Sequence, residues 1–590
     1  MFPSVHKAIT IGLLCIVAFL GHPARKGRTG GALYDIIAIA FVIASCCYIV
    51  VNAERLIDQW GDASAVEMVL GISLIVCLIE IVRRTINLVL PLIIVFFFFY
   101  TVYSNHFPGF LHSAGFSYPR TIAWMYLSAE GLWGMATGVV CTVVAGFIIF
   151  GAFLNTIGAS RFFLNLALSI LGFTRGGAAK AAVIGSSLFG TISGSIAANI
   201  ATTGTITIPL MKGTGFSKEH AGAIESCAST GGMFMPPVMG ATSFLIAEFL
   251  GISYWSVCIA AFIPALTYYL VLFAQVHLEA LKAGITGLQR EQLPSLRGTL
   301  RTGWHFLLPL VILIFFLGVL KYSAETSIMY TLVSLIIVSF FKKESRLTPK
   351  RFLSAMEASA RGMLSIGPLT AAIMIIIGAL SITGAGADLT SGLVEISQQN
   401  LLLLLVLAAT ASFILGMGMT ALSCYLLTVV VMAPALIKLG VVPIAAHMFL
   451  FYFGTLSFIT PPVCIGAYIA SGIAGGDPWR TGMRAMRFGA AAYLVPWAFV
   501  FNPALLMVGS TMDIVLSIII VSIGAISVAA ALVGTLITPI RIWERILLIL
   551  AGVSMFTPFW MVRLVAFFLI AIIFTNHFII RHRRKTVNGT

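Results

Sequence analysis

AAVIGSSLFGTISGSIAANIATTGTITIPL, residues 181–210, carries no charged side chain, yet holds too much Gly, Ser and Thr for an ordinary lipid-facing span. A second segment of the same character, TASFILGMGMTALSCYLLTVVVMAPA, occupies residues 410–435. An offset of 225 residues places Ser187 over Ser412, Ser195 over Thr420, Thr203 over Thr428 and Pro209 over Pro434. The register then persists, because 27 residues past each of these prolines comes a paired proline in an apolar segment: Pro236-Pro237 in MFMPPVMGA and Pro461-Pro462 in FITPPVCIGA. Two matched, interrupted apolar segments are the pattern of a secondary transporter built from internal repeats, and the interruptions point to its binding site.

The composition frames this reading. Of 590 residues, 59% are hydrophobic and 9% charged, and the mean hydropathy is +1.05, values that exclude a water-soluble globule. Lys and Arg number 35 against 20 Asp and Glu. In a soluble chain that excess would suggest a nucleic-acid partner; here membrane topology explains it and no nucleic acid is expected. The 9 cysteines lie in apolar segments without a CxxC pair, so they read as small hydrophobic residues rather than as a disulfide or metal framework. The first apolar run, Ile9 to Leu20, resembles a signal-peptide core. His22-Pro23-Ala24-Arg25-Lys26 is a poor cleavage site, and the run is read as a retained span.

Further spans are expected near 32–52, 64–82, 86–104, 132–157, 256–276, 303–320, 326–341, 362–383, 488–508, 513–536, 546–557 and 564–580. A wetter stretch at 105–131 holds the boundary between modules. Alternate loops from 21–30 onward carry 29 of the 35 Lys and Arg, including the stretches 277–302, 342–361 and 581–585. By the positive-inside rule these loops are cytoplasmic, as is the C-terminus. The repeats are then inverted: residues 181–210 dip in from the cytoplasm and residues 400–437 from the outside, each followed by a helix broken at Pro-Pro. The expected fold class is an all-α polytopic membrane protein, an inverted-repeat elevator-type transporter with two re-entrant helical hairpins, broken helices and N-terminal scaffold helices.

Broken helices leave unpaired carbonyls at one end and unpaired N–H groups at the other. Carbonyls and hydroxyls suit a small hard cation such as sodium, while N–H ends suit a carboxylate. The candidate sodium ligands are Ser187, Gly190 and Ser193 of the first hairpin with Gly231, Gly232 and Pro236 of the following break. Their mirror comprises Gly416, Gly418 and Thr420 with Ser457, Thr460 and Pro461. Ser195, Asn199, Thr202 and Thr203 are the candidates for orienting substrate. Small residues at this spacing also serve plain helix packing, which is the alternative for each of them. Glu225 is a candidate coupling residue because a carboxylate within the membrane is functional by default; its alternative is a pair with a basic side chain near the cytoplasm. Glu248 reads as lying at the outer interface and Asp388, close to the outer surface, as solvated, and His220 and His447 receive no role.

The runs GSSLFGTISGSIAANIATTGTITIPLMKGTGF, CASTGGMFMPPVMGA, LGMGMTALSCY, AAHMFLFYFGTLSFITPPV and FVFNPALL closely resemble the fused permeases of tripartite ATP-independent periplasmic (TRAP) transporters of the TAXI-associated type, over about residues 120–510. The resemblance implies small-subunit-like scaffold helices over 1–118, a large-subunit-like transport module over 119–510 with repeats at about 132–300 and 362–508, and additional C-terminal helices over 511–590. It also implies sodium as coupling ion, an elevator mechanism in the bacterial inner membrane, and a small carboxylate delivered by a periplasmic TAXI-type substrate-binding protein. Met233 stands where the family pattern has Gln, and Met419-Thr420-Ala421 lacks a Pro and a Thr of the usual hairpin tip. A sodium:dicarboxylate symporter that needs no binding protein is the alternative, although its Ser-Asn-Thr triplets are missing here. HExxH, GxSxG and paired intramembrane carboxylates are also missing, so no enzyme is expected.

Overall fold

Inside hydrocarbon a backbone must bond to itself, and a chain with long apolar runs and no alternating strand pattern meets that demand with helices. The computed structural model describes residues 3–23, 33–58, 61–86, 88–536 and 538–587. Among these, 11 helices are long and apolar enough to cross a membrane, which makes this a multi-pass membrane protein. The basic loop expected at 21–30 lies mostly outside the described residues, as do the side chains of the basic run at 581–585.

Four helices open the chain: α1 (Pro3–Gly21), α2 (Leu33–Val51), α3 (Ala65–Thr85) and α4 (Val89–Tyr103). Their outer faces carry exposed Leu13, Leu20, Phe96 and Phe99, an apolar surface suited to lipid rather than water. Charge pins them at their ends. Arg84 donates to Asp35 at 2.7 Å, to Glu80 at 2.8 Å and to the His22 carbonyl at 2.9 Å, and so ties α1, α2 and α3 together. At the opposite end Arg55 pairs with Glu67 at 2.7 Å, while Ser64 and Glu67 close a capping box over α3.

The first repeat follows as α5 (Met135–Thr156), hairpin arms α6 (Gly177–Ser193) and α7 (Ile196–Gly213), the broken pair α8 (Lys218–Gly231) and α9 (Thr242–Leu250), and α10 (Tyr254–Lys282). After the connecting helical segments Arg290–Val319 and Ala324–Ser339, the second repeat runs through α11 (Pro349–Leu364), α12 (Gly367–Thr383), arms α13 (Leu401–Gly416) and α14 (Ala421–Lys438), the broken pair α15 (Pro443–Leu456) and α16 (Ile465–Ala474), then α17 (Pro478–Phe488) and α18 (Ala490–Phe501). The repeat seen in sequence is carried into helix boundaries, since α8 and α15 begin and end at positions 225 residues apart (218 and 443, 231 and 456). Both Pro-Pro bonds, Pro236-Pro237 and Pro461-Pro462, are cis. The last three helices, α19 (Thr511–Val533), α20 (Ile542–Ser554) and α21 (Trp560–Val587), lean on α10 through α19. Lys282 Nζ and Arg545 Nε bond the Val533 and Ala531 carbonyls at 3.1 and 2.8 Å, cations satisfying the negative end of α19.

The structure corrects the basic stretch read as a loop at 342–361, most of which is helix α11. Lys350, Arg351 and Arg361 hide its apolar stripe, but Thr348 caps it and Ala355, Ser359 and Met363 are buried. Likewise α10 continues through Glu279 to Lys282, beyond the expected end near 276. Glu248 and Asp388 are exposed, as read.

Each hairpin is seated on the break that follows it. A Cβ on Gly190 would lie 2.6 Å from the Gly232 Cα, and one on Gly416 would lie 2.8 Å from the Gly454 carbonyl. We expect Gly190→Ala to cost about 1–3 kcal/mol, because the backbone opposite has nowhere to move. The thermal midpoint of the purified protein should fall for this variant and stay unchanged for Gly213→Ala, whose added methyl meets nothing within 4 Å.

Candidate functional site

The turn between α6 and α7 is made by Gly194 in the left-handed region (φ 57°) followed by extended Ser195, whose Oγ caps α7 by accepting from the Ala198 N–H. A left-handed residue is needed here to reverse the chain within a single step, and Gly takes it without a Cβ penalty. The apex rests on the break between α8 and α9, where a Cβ on Gly194 would stand 2.5 Å from the Met239 carbonyl. Ser193, Ser195 and Thr202 line a cavity of about 220 Å³ together with Asn155 of α5, Val238 and Met239 of the break, and Gly362 of α11. Among the described residues, no Lys, Arg, Asp or Glu borders it. The buried Ser193 Oγ has no hydrogen-bond partner among the described residues, so its bonding capacity is unsatisfied. Two α7 residues proposed from sequence for substrate contact, Ser195 and Thr202, thus sit at the cavity.

Asn199 and Thr203 face the other way. Asn199 is fully buried; its amide donates to the Ser186 carbonyl at 2.9 Å, and its Oδ1 lies 3.1 Å from Thr203 Oγ1. Thr203 leads to Glu225 on α8, donating to Oε1 at 2.6 Å. Ser186 and Ser229 also donate to Oε1, at 2.8 and 3.2 Å, and Thr207 donates to Oε2 at 2.6 Å. A carboxylate sealed from solvent is therefore held by four hydroxyls from three helices, and the basic partner weighed for Glu225 is not among its bonds. The nearby Lys and Arg residues bond elsewhere: Arg487 donates to Glu279 at 2.9 Å, and Lys212 to the Ala474 carbonyl at 2.8 Å. His220, left without a role from sequence, lies 3.2 Å from Glu279. No sequence period could have disclosed that cluster, since α8, α10 and α17 meet only in the fold.

The first set of cation candidates is brought together around Gly190 and Gly232, with Ser187 buried nearby on the same arm. Gly231 is pressed against Tyr268 and Tyr269, to which a Cβ would come within 2.6 Å. Pro236 opens the loop whose Pro237 and Val238 carbonyls accept from Tyr254. In the second hairpin Gly418 makes the turn (φ 80°), and Thr420 caps α14 as Ser195 caps α7. Gly416 meets Ser457, whose Oγ would lie 3.0 Å from an added Cβ. Ser457 Oγ bonds the Gly454 carbonyl at 3.0 Å, whereas Thr460 bonds Leu456 O at 2.7 Å and also Tyr493. Pro461 packs against Gly482, where a Cβ would stand 3.0 Å from its Cγ. Ser412, the counterpart of Ser187, is buried with no partner for its Oγ. The two halves are joined by Phe234, which stacks on Tyr452 of α15 at 3.8 Å between ring centroids. Asn155 was missed from sequence; a lone amide in the run FIIFGAFLNT was its only signal.

The family described as "Tripartite ATP-independent periplasmic transporter, DctM component" matches residues 72–514. Among relatives, the chain is 26% identical over 330 residues to the isethionate TRAP transporter permease protein DctMQ of Oleidesulfovibrio alaskensis, covering 56% of this chain and 51% of that one. It is 26% identical over 335 residues to the C4-dicarboxylate TRAP transporter large permease protein DctM of Pseudomonas aeruginosa, covering 56% and 76%. To the sialic acid TRAP transporter permease protein SiaT of Haemophilus influenzae it is 26% identical over 337 residues, covering 55% and 52%. The chain thus spans about half the length of two of these three relatives.

Asn199 and Thr202 separate packing from ligand contact. Asn199→Ala removes a buried amide that joins α7 to the Ser186 carbonyl on α6 and should cost about 1–3 kcal/mol, read as a lower thermal midpoint. Thr202→Ala, at the cavity wall, should leave that midpoint unchanged.

Proposed function

Because the chain belongs to the TRAP transporter family as a DctM component, we propose that it performs sodium-coupled secondary active uptake of a small organic acid handed over by a periplasmic TAXI-type substrate-binding protein. The observation that carries this reading is the twinned unit of hairpin and broken helix, with an unpartnered Ser193 hydroxyl at the cavity of the first. The relatives' isethionate, C4-dicarboxylates and sialic acid are all organic acids, which supports the same class here.

With no cationic side chain on the cavity, the anion would be met by the N–H groups opening α7 and by the Ser193, Ser195, Thr202 and Asn155 side chains. Sodium, as co-transported cargo, would be taken by the oxygens around Ser187, Gly190, Ser193, Gly231, Gly232 and Pro236. Its mirror site would use Gly416, Gly418, Thr420, Ser457, Thr460 and Pro461. The fit rests on the free Ser193 and Ser412 oxygens and on the close approach of hairpin backbone to each break. In an elevator cycle the hairpins and broken helices would move against the N-terminal helices, of which α3 and α4 pack on α12. We further assign residues 1–118 to the scaffold, 119–510 to transport and 511–590 to an added helical layer. The chain would lie in the bacterial inner membrane with its C-terminus in the cytoplasm, as the distribution of Lys and Arg supports.

Uptake into proteoliposomes of labelled succinate, isethionate, sialic acid and 2-oxoglutarate tests the proposal, with and without an inward sodium gradient and the binding protein encoded beside the chain. Uptake should require both, and Ser193→Ala should reduce it at least about tenfold, the loss of a hydrogen bond to a charged or coordinated ligand. Uptake that needs sodium but no binding protein would instead identify an independent sodium:dicarboxylate symporter.

A further inference from the structure

Glu225 differs from the other buried carboxylates for which ion pairs are seen. Glu67 pairs with Arg55, Asp35 with Arg84, and Glu279 with Arg487, each at 2.7 to 2.9 Å, and Glu544 lies 3.3 Å from His577. Glu225 is fully buried and, among the described residues, its hydrogen-bond partners are the hydroxyls of Ser186, Thr203, Thr207 and Ser229. An anion at this depth is costly unless a cation neutralises it. Charged and titratable groups on the helices packed around it are engaged elsewhere or exposed, save His277 of α10, which borders a separate cavity with Arg175 and Phe273. On α6, Lys180 points to Thr174 and to the Phe273 ring. On α7, Lys212 bonds Ala474 O. On α10, Tyr268 and Tyr269 donate to the Cys227 and Ala228 carbonyls at 2.7 and 2.8 Å, and Glu279 takes Arg487. On α16, Tyr468 donates to Pro462 O. On α17, Arg484 faces His220, and Arg480 is exposed. On α8 itself, Cys227 bonds Ala485 O, while Glu219 bonds Ser217.

The hydroxyl partners have a property that Arg or Lys would lack: each can donate or accept by turning its O–H. Thr207 lies 2.6 Å from Oε2 and 3.0 Å from the Thr203 carbonyl. Thr203 lies 2.6 Å from Oε1, 2.9 Å from the Asn199 carbonyl and 3.1 Å from Asn199 Oδ1. A proton on Oε2 stays on the carboxyl and is donated in a hydrogen bond to Thr207 Oγ1, while the Thr207 O–H turns to Thr203 O. No heavy atom moves in that exchange. A metal ion fits this cage poorly, since hard cations need each oxygen at about 2.3–2.6 Å from the ion itself. Oxygens already 2.6 Å from one another leave no room between them.

We propose that Glu225 is a proton-binding site of the transport unit, taking up and releasing one proton through reorientation of the Thr203 and Thr207 hydroxyls. The proton neutralises the one unpaired carboxylate that ties α6, α7 and α8 together, so that this unit can cross hydrocarbon without a bare charge. The inference stands apart from the sodium and binding-protein reading, and its test contains no sodium and no organic acid.

Infrared difference spectra of the full chain in lipid vesicles, recorded between about pH 5 and about pH 9, report the carbonyl stretch of protonated carboxylic acids. A band that grows as the pH falls, is lost in Glu225→Gln and is displaced in Thr207→Val is the expected result. Thr207→Val alone decides the matter should Glu225→Gln fail to fold, because it removes the hydroxyl on Oε2 and changes little in volume. A band that neither variant alters, or spectra with no such band, would overturn the proposal.

Discussion

An interrupted helix in the middle of a membrane protein frees backbone N–H and C=O groups that neither water nor lipid can satisfy. Much of this fold answers that constraint. At each break a hairpin presses backbone against backbone, Gly190 on Gly232 and Gly416 on the Gly454 carbonyl. Side chains then collect the freed carbonyls: Tyr254 takes those of Pro237 and Val238, and Tyr268 and Tyr269 take those of Cys227 and Ala228. The cavity beside Ser193 exists because the break and the hairpin apex do not fill the space against α5 and α11.

The same constraint separates polar residues that hold the unit together from those left for a ligand. Asn199 and Thr203 are spent on the bond between the hairpin arms and α8, although they lie on the same helix as Ser195 and Thr202 at the cavity. Helical rotation carries 199 and 203 roughly a quarter turn round from 195, 198 and 202, enough to take them off the cavity wall and into the contact with α8. A polar residue in such a segment is thus a ligand candidate only once its face is known. The repeat has a matching division, with Ser195 and Thr420 serving the same capping role at the two apices.

Interfaces between the halves are apolar at depth and charged at the rim. Phe234 stacks on Tyr452 and meets Phe451 edge-on, at 5.3 Å between centroids. Toward the end of α8 rich in basic neighbours, Glu279 joins α10 to α17 through Arg487 and to α8 through His220. This order follows the cost of burial, because ion pairs gain most where water still reaches part of the group.

Composition, the 225-residue offset and the doubled Pro-Pro motifs were enough to determine helical class, two hairpins and two broken helices, and the resemblance of the hairpin and Pro-Pro runs indicated the family, because each is written in the order of residues along the chain. Helix α11 was hidden by its own Lys and Arg, which read as loop when their amphipathic spacing is ignored. Only the tertiary structure decided which hydroxyls surround Glu225, that Asn155 and Gly362 border the cavity with Ser193, and that Asn199 turns away from it. These facts depend on how helices far apart in sequence are rotated against one another. No periodicity within a single segment records that rotation.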